Sequence, residues 1–198
     1  MSRRVVITGM GWVTPLGHEI DAVWSRLLRS ESGVTPTEIF DARTFPTSFS
    51  AQVKNFALKQ FIPNADAHEG ASRNSQFALA AASMAWNGAA LDRAMAIDPT
   101  RVGVYLGGGE GPLDFMPFAA AALAGCTDEN GAATPLSATR WAEKALKVLD
   151  AVNEREQEPN LAAGHLTTQF NAQGPTLNTL TACAASTQAI GEAMHIIR

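Results

Sequence analysis

Cys126 and Cys183 are the only thiols in the chain, and only Cys183 stands where a thiol could act as a nucleophile. It lies in Thr181-Ala182-Cys183-Ala184-Ala185-Ser186, where a predicted strand over Thr176–Ala182 gives way to a helix that Cys183 opens. A cysteine at a helix start meets free N–H groups and the positive end of the helix dipole, and both favour the thiolate. Its small neighbours leave room for an acyl group to approach. The placement has the logic of a nucleophile elbow, though not its sequence. The same residues also fit a small structural cysteine at the start of an Ala-rich helix. Cys126, in Gly125-Cys126-Thr127-Asp128, reads as a loop residue with no chemical support.

A cysteine nucleophile needs a base within hydrogen-bond reach. His195 follows Cys183 by twelve residues on the same predicted helix, about three turns away, too far to serve. His165 lies in another helix, and His18 and His68 lie in or beside loops without a partner signal. All four read as structural or surface residues. No Cys/His spacing suits a metal, and two cysteines make no disulfide framework, so a reduced, cytoplasmic setting is expected. Gly9-Met10-Gly11 follows a predicted strand, but Thr14 stands where a dinucleotide fingerprint needs its third glycine. Gly107-Gly108-Gly109 lacks the Lys-Ser/Thr ending of a P-loop and reads as a place of close backbone approach.

The elements that must position Cys183 follow from patterning. The chain has 198 residues, 46% apolar and 17% charged, enough for a packed core and too apolar for a disordered segment. Fifteen basic against nineteen acidic residues give a net charge of −4, which offers no electrostatic case for nucleic acid or an anionic membrane. No stretch is long and apolar enough to span a bilayer. Strands are predicted over Arg3–Thr8, Arg101–Leu106 and Thr176–Ala182. Asp21 is predicted to cap a helix through Leu28 that packs through Ala22, Trp24, Leu27 and Leu28. Ser32–Asn64 reads as a surface excursion with short elements at most. Ser72 starts a long buried helix through about Leu91, Phe115–Leu123 is helical, and Ser137 caps a helix carrying Trp141, Leu149 and Val152. Glu154, Glu156 and Glu158 mark a solvated joint, and Pro159 opens a helix through Phe170. Strands alternating with helices indicate an α/β fold with parallel pairing. The last helix is still apolar at Met194, Ile196 and Ile197, without a C-cap, which reads as a chain cut before its last strands; a genuine terminal helix is the alternative.

Several segments together resemble one family, the elongating β-ketoacyl-acyl-carrier-protein synthases of type II and the related polyketide ketosynthases. They are Val5–Gly11 with Thr14-Pro15-Leu16-Gly17, Gly103–Gly107, Pro159–Leu166, and Gly174-Pro175 leading into Thr181–Ser186. The resemblance implies a thiolase-like fold of two similar α/β halves, of which residues 1–198 would be the first: an incomplete mixed sheet with helices on both faces. It implies decarboxylative Claisen condensation through an acyl-cysteine at Cys183, with the Cys183 N–H as one oxyanion donor and with Gly109, Glu110 and Ala182 at the substrate. Acyl-carrier protein and malonyl-carrier protein would be the partners, in a homodimer, with no cofactor or metal. The histidines and lysine of the decarboxylation step would lie in the second half, so this chain alone is expected to be inactive in condensation. Glu110 departs from the aliphatic acyl-pocket residue of the family: a carboxylate is costly to bury in an alkyl channel, unless it points to water. The charged stretch Trp141–Glu158 also departs from a shorter Phe- and Pro-containing segment, which leaves chain length open. A non-catalytic chain-length-factor-type partner and a thiolase-like acyltransferase are the alternatives; the first usually lacks the cysteine.

Overall fold

The computed structural model describes residues 3–94 and 96–198. Its elements in chain order are α1 (Ile20–Leu28), β1 (Val34–Pro36), β2 (Phe49–Ala51), α2 (Arg73–Gly88), β3 (Val104–Gly107), α3 (Phe115–Cys126), α4 (Ala138–Val148), α5 (Ala151–Arg155), α6 (Leu161–Phe170), β4 (Thr176–Thr179) and α7 (Ala185–Ile197). Short 3-10 turns, including Ala65–His68 and Ala182–Ala184, join them.

Strands β3 and β4 pair in parallel, from Val104 opposite Thr176 to Gly107 opposite Thr179. A parallel pair needs a crossover, and α3 to α6 supply it. Side chains alternate across a strand. Val104 and Leu106 accordingly pack on one face against the core of Leu79 and Ala80 from α2 and Leu166 from α6. Gly107 meets the first turn of α7 on the other face. Helices thus cover both faces of the pair. The strands β1 and β2 form a separate antiparallel hairpin, the short elements expected of the 32–64 excursion.

The helix expected from Ser72 forms as α2, with the Ser72 hydroxyl accepting the Ser75 N–H. Leu79 and Ala80 are fully buried. Ser137 caps α4 through the Arg140 N–H. Asp150 then accepts from the Val152 and Asn153 N–H groups, which starts α5 and splits the single helix expected there.

Other expectations are corrected. Arg3–Thr8 is not a strand. Its β-branched residues have the propensity, but a strand also needs a backbone partner. Instead Gly9 and Gly11 press on the Ala85 and Ala81 carbonyls of α2, where any Cβ would collide. Ile7, Thr8 and Gly9 face Gly103–Tyr105 across a groove of about 390 Å³. β3 starts at Val104 and not Arg101, because Asp98 caps a 3-10 turn at Pro99–Arg101 through the Thr100 N–H. β4 stops at Thr179, where its register with β3 runs out. Glu19, not Asp21, is the N-cap residue of α1. That helix packs through Val23, while Trp24, Leu27 and Leu28 stay exposed. Helix α3 runs on to Cys126, which ends a helix and does not sit in a loop. Helix α6 begins at Leu161, two residues beyond Pro159, with Asn160 as its N-cap residue. Among the described residues no helix is long and apolar enough to cross a membrane.

Candidate active site

Beyond β4 the chain turns sharply through Leu180 and Thr181 into the 3-10 turn Ala182–Ala184, and α7 continues from Ala185. Cys183 sits in the middle of that turn, so it precedes the α-helix proper by two residues. Ala182 adopts the left-handed conformation, φ 47°. For a residue with a Cβ this costs about 1–2 kcal/mol, and such strain gathers at functional turns. The turn is held from both sides. The Ala184 N–H donates to the Thr181 carbonyl at 3.1 Å, and the Thr181 hydroxyl donates to Oε1 of Gln188 on α7 at 3.0 Å. The Cys183 thiol is unpaired and exposed, as is Cys126.

The glycine loop after β3 leads to the same place. A Cβ on Gly107 would overlap the backbone of Ala185 and Ser186, so only glycine lets β3 end against the first turn of α7. The Gly108 N–H donates to the Thr179 carbonyl at 3.1 Å, extending the ladder to the foot of the cysteine turn. Gly109 and Glu110 are exposed, and around Gly109 there is open space. Both line a cavity of about 200 Å³ with Ser72, Ser75 and Glu156. Neither Ala182 nor Cys183 lines it. The structure therefore places Ala182 with Cys183, and Gly109 with Glu110, in two neighbouring places joined through Gly107. Glu110 escapes the cost of burial by reaching solvent.

The far wall of the cavity holds residues that sequence reasoning misread. Glu156, expected in a solvated joint, is buried, at 5% exposure. One carboxylate oxygen, Oε2, accepts the Ser72 N–H at 2.9 Å and the Ser75 hydroxyl at 3.4 Å, at the start of α2. The other, Oε1, lies 3.0 Å from His165 Nε2. The ring of His165 meets that of His68 through their Nδ1 atoms at 3.0 Å, and His68 Nε2 meets Gln169 Oε1 at 2.9 Å. His68 is buried, at 3% exposure. The Gly111 N–H donates to the Gln157 carbonyl at 3.0 Å, tying the glycine loop to this segment. The alternation of Glu154, Glu156 and Glu158 gave no hint of this, because Glu156, the C-cap residue of α5, meets its partners at the start of α2 and on α6. The two histidines lie 97 residues apart, and no local pattern pairs them.

Burial alone raises the Glu156 carboxyl. The Ser72 N–H, the His165 ring and the Ser75 hydroxyl outweigh it and hold the group below its ordinary value of 4.5. In the unfolded chain Glu156 binds its proton at higher pH than in the fold. Its stabilisation is therefore present above the unfolded value and lost as pH falls through the folded one. Urea unfolding at successive pH values below 4.5 is expected to show falling stability, with a shallower fall in Glu156→Gln. An equal slope in both proteins would remove Glu156 from the acid response.

Comparison with known proteins places this geometry. The family model described as "Beta-ketoacyl synthase, N-terminal domain" matches residues 2–198. The chain is 31% identical to the 3-oxoacyl-[acyl-carrier-protein] synthase 2 of Coxiella burnetii over 203 residues, covering 98% of this chain and 42% of that protein. It is 30% identical to the protein of the same name from Vibrio harveyi, again over 98% of this chain and 42% of the relative. The chain thus spans about two fifths of the length of these curated relatives. Among solved structures, a beta-ketoacyl synthase from Burkholderia phymatum superposes with a TM-score of 0.74 at 24% identity, over 99% of this chain and 44% of that one. A type II polyketide synthase acyl-carrier protein complexed with its ketosynthase, the ketosynthase bound to the hexaketide, gives 0.68 at 20% identity, over 99% of this chain and 47% of the other. The expected thiolase-like α/β fold is the fold of these ketosynthases. A parallel pair with helices on both faces is thus the fold these ketosynthases share, and the chain belongs to the beta-ketoacyl synthase family, matching its N-terminal domain.

Proposed function

We propose that Cys183 is the acyl-accepting nucleophile of a β-ketoacyl-acyl-carrier-protein synthase. The observation that carries this reading is an exposed thiol in a strained strand-to-helix turn, in a chain that matches this family from end to end. The Cys183 thiolate attacks the carbonyl carbon of an acyl thioester. A carbon–sulfur bond forms, the carbonyl oxygen takes the negative charge beside the Cys183 N–H, and the carrier thiol leaves as the carbonyl re-forms. In the second half-reaction malonyl-carrier protein loses carbon dioxide, its enolate carbon bonds to the acyl carbon, and the Cys183 thiolate leaves. Ala182 shapes the turn, and Gly109 and Glu110 border the substrate.

The partners in this reading are acyl-carrier protein and malonyl-carrier protein, and one ketosynthase of similar fold is known in complex with an acyl-carrier protein. Exposed apolar side chains such as Phe115 and Met116 on α3 support a homodimer. The two unpaired cysteines fit a cytoplasmic setting. None of the four histidines is placed for decarboxylation: His18 packs edge-on against Phe56 and Phe61, His68 and His165 are held in the Glu156 network, and His195 lies in the last turn of α7.

The test is to incubate the purified chain with acyl- and malonyl-carrier protein and to map adducts by peptide mass spectrometry. An acyl adduct on Cys183, without carbon–carbon bond formation, is expected. An adduct on Cys126 with Cys183 untouched overturns the assignment, and a condensed product overturns the division of labour.

A further inference from the structure

Glu156, His165, His68 and Gln169 form one line of contacts at 3.0, 3.0 and 2.9 Å. The line runs between two cavities. Glu156 lines the cavity of about 200 Å³ under the glycine loop. His68 lines a separate groove of about 390 Å³ bordered by Lys59, Asp66 and Glu69.

Each contact needs one proton, so proton counting defines the states. With the Gln169 carbonyl toward His68, His68 Nε2 must donate. Neutral His68 then has a bare Nδ1, so His165 Nδ1 must donate to it. Glu156 already accepts two donors on Oε2 and is built to be a carboxylate, so His165 Nε2 donates as well. That arrangement holds three protons, with His165 an imidazolium and the cluster neutral. Turning the Gln169 amide by half a turn presents its N–H₂ to His68 Nε2. Two protons then suffice: His68 Nδ1–H donates to His165 Nδ1, and His165 Nε2–H donates to Glu156, leaving the cluster with one negative charge. No ring has to move.

We propose that these four residues are a proton relay that carries a single proton from the His68 groove to the wall of the glycine-loop cavity, with Gln169 as its two-position gate. On uptake a proton from water binds His68 Nε2, the Gln169 amide turns to accept it, and the proton on His68 Nδ1 passes to His165 Nδ1. The charge that enters at one cavity emerges beside Glu156 at the other, so the cavity wall changes from anionic to neutral. The remaining charged groups that face the relay are Lys59, Asp66 and Glu69 at the entry and Glu110 and Glu158 across the cavity. Glu154 and Arg155 end α5 just before Glu156, its C-cap residue, and Arg73 of α2 is engaged with the Val53 carbonyl.

Long-range ¹H–¹⁵N spectra of the chain labelled at histidine nitrogen read both rings directly. As pH is lowered, His68 is expected to switch from the Nδ1–H to the Nε2–H tautomer while His165 gains its second proton, with one midpoint common to both rings. In Glu156→Gln that common midpoint is expected to split into two. In Gln169→Met the His68 switch is expected to be lost while His165 still titrates. A single unchanging His68 tautomer in the unmodified chain, separate midpoints for the two rings there, or a His68 switch that survives Gln169→Met each overturns the relay. The unmodified chain alone suffices for the first two readings, whatever the variants do to folding.

Discussion

Cys183→Ala is expected to remove acyl transfer to this chain, by at least about 10³-fold in rate, while Cys126→Ala leaves it intact. Both thiols are exposed, so access does not separate them. Position does. Cys183 stands in the turn after β4 beside the start of α7, whereas Cys126 is the last residue of α3. Cys183→Ser keeps nearly the same shape but replaces a thiolate nucleophile with a neutral hydroxyl, so it is also expected to fail. Because the thiol is exposed and unbonded, removing it is expected to change stability by no more than about 0.5 kcal/mol. Adduct formation is read by mass spectrometry and stability by urea unfolding on the same samples. Undiminished acylation of Cys183→Ala would exclude the nucleophile assignment.

Gly107→Val is expected to destabilise the fold by about 3 kcal/mol or more, a large share of the roughly 5–15 kcal/mol a domain has. The atoms in the way belong to the Ala185 and Ser186 backbone, not to a flexible side chain. Relief therefore requires α7 to move off β3, and the cysteine turn moves with it. Gly109→Ala is the matched control: nothing lies within 4 Å of its added Cβ, and a change within about 0.5 kcal/mol is expected. Similar urea midpoints for the two variants would show that the β3–α7 contact can yield cheaply.

What could be read ahead of the structure depended on how local its cause was. Ser72 and Ser137 announced their helices because a cap is a contact across three residues. Cys183 stood out because strand, small residues and helix follow one another directly in the chain. Glu156 stayed hidden because its partners are Ser72 and Ser75, more than eighty positions upstream, and His165 on the next helix. Arg3–Thr8 misled because propensity reports what a segment favours, while a strand exists only where another backbone meets it. Asp150 was overlooked as a helix start inside an otherwise continuous helical pattern, although it caps α5 by a local bond. The exposed Trp24 and Leu27 show the same limit from the other side: a helical stripe marks an apolar face without saying that anything covers it.

The parallel pairing of β3 with β4 also sets an order of assembly. Val104 and its partner Thr176 are 72 positions apart, 176 minus 104. Joining them closes a long loop, whose entropy must be spent before the ladder returns anything. The packing of α3 on α4 lies wholly within that loop and can form beforehand. The cysteine turn cannot, since it hangs from the end of β4 and is braced by Gly107 of β3. Cys183 therefore reaches its place only once β3 and β4 have met, and a chain in which they have not carries an ordinary, unpositioned thiol.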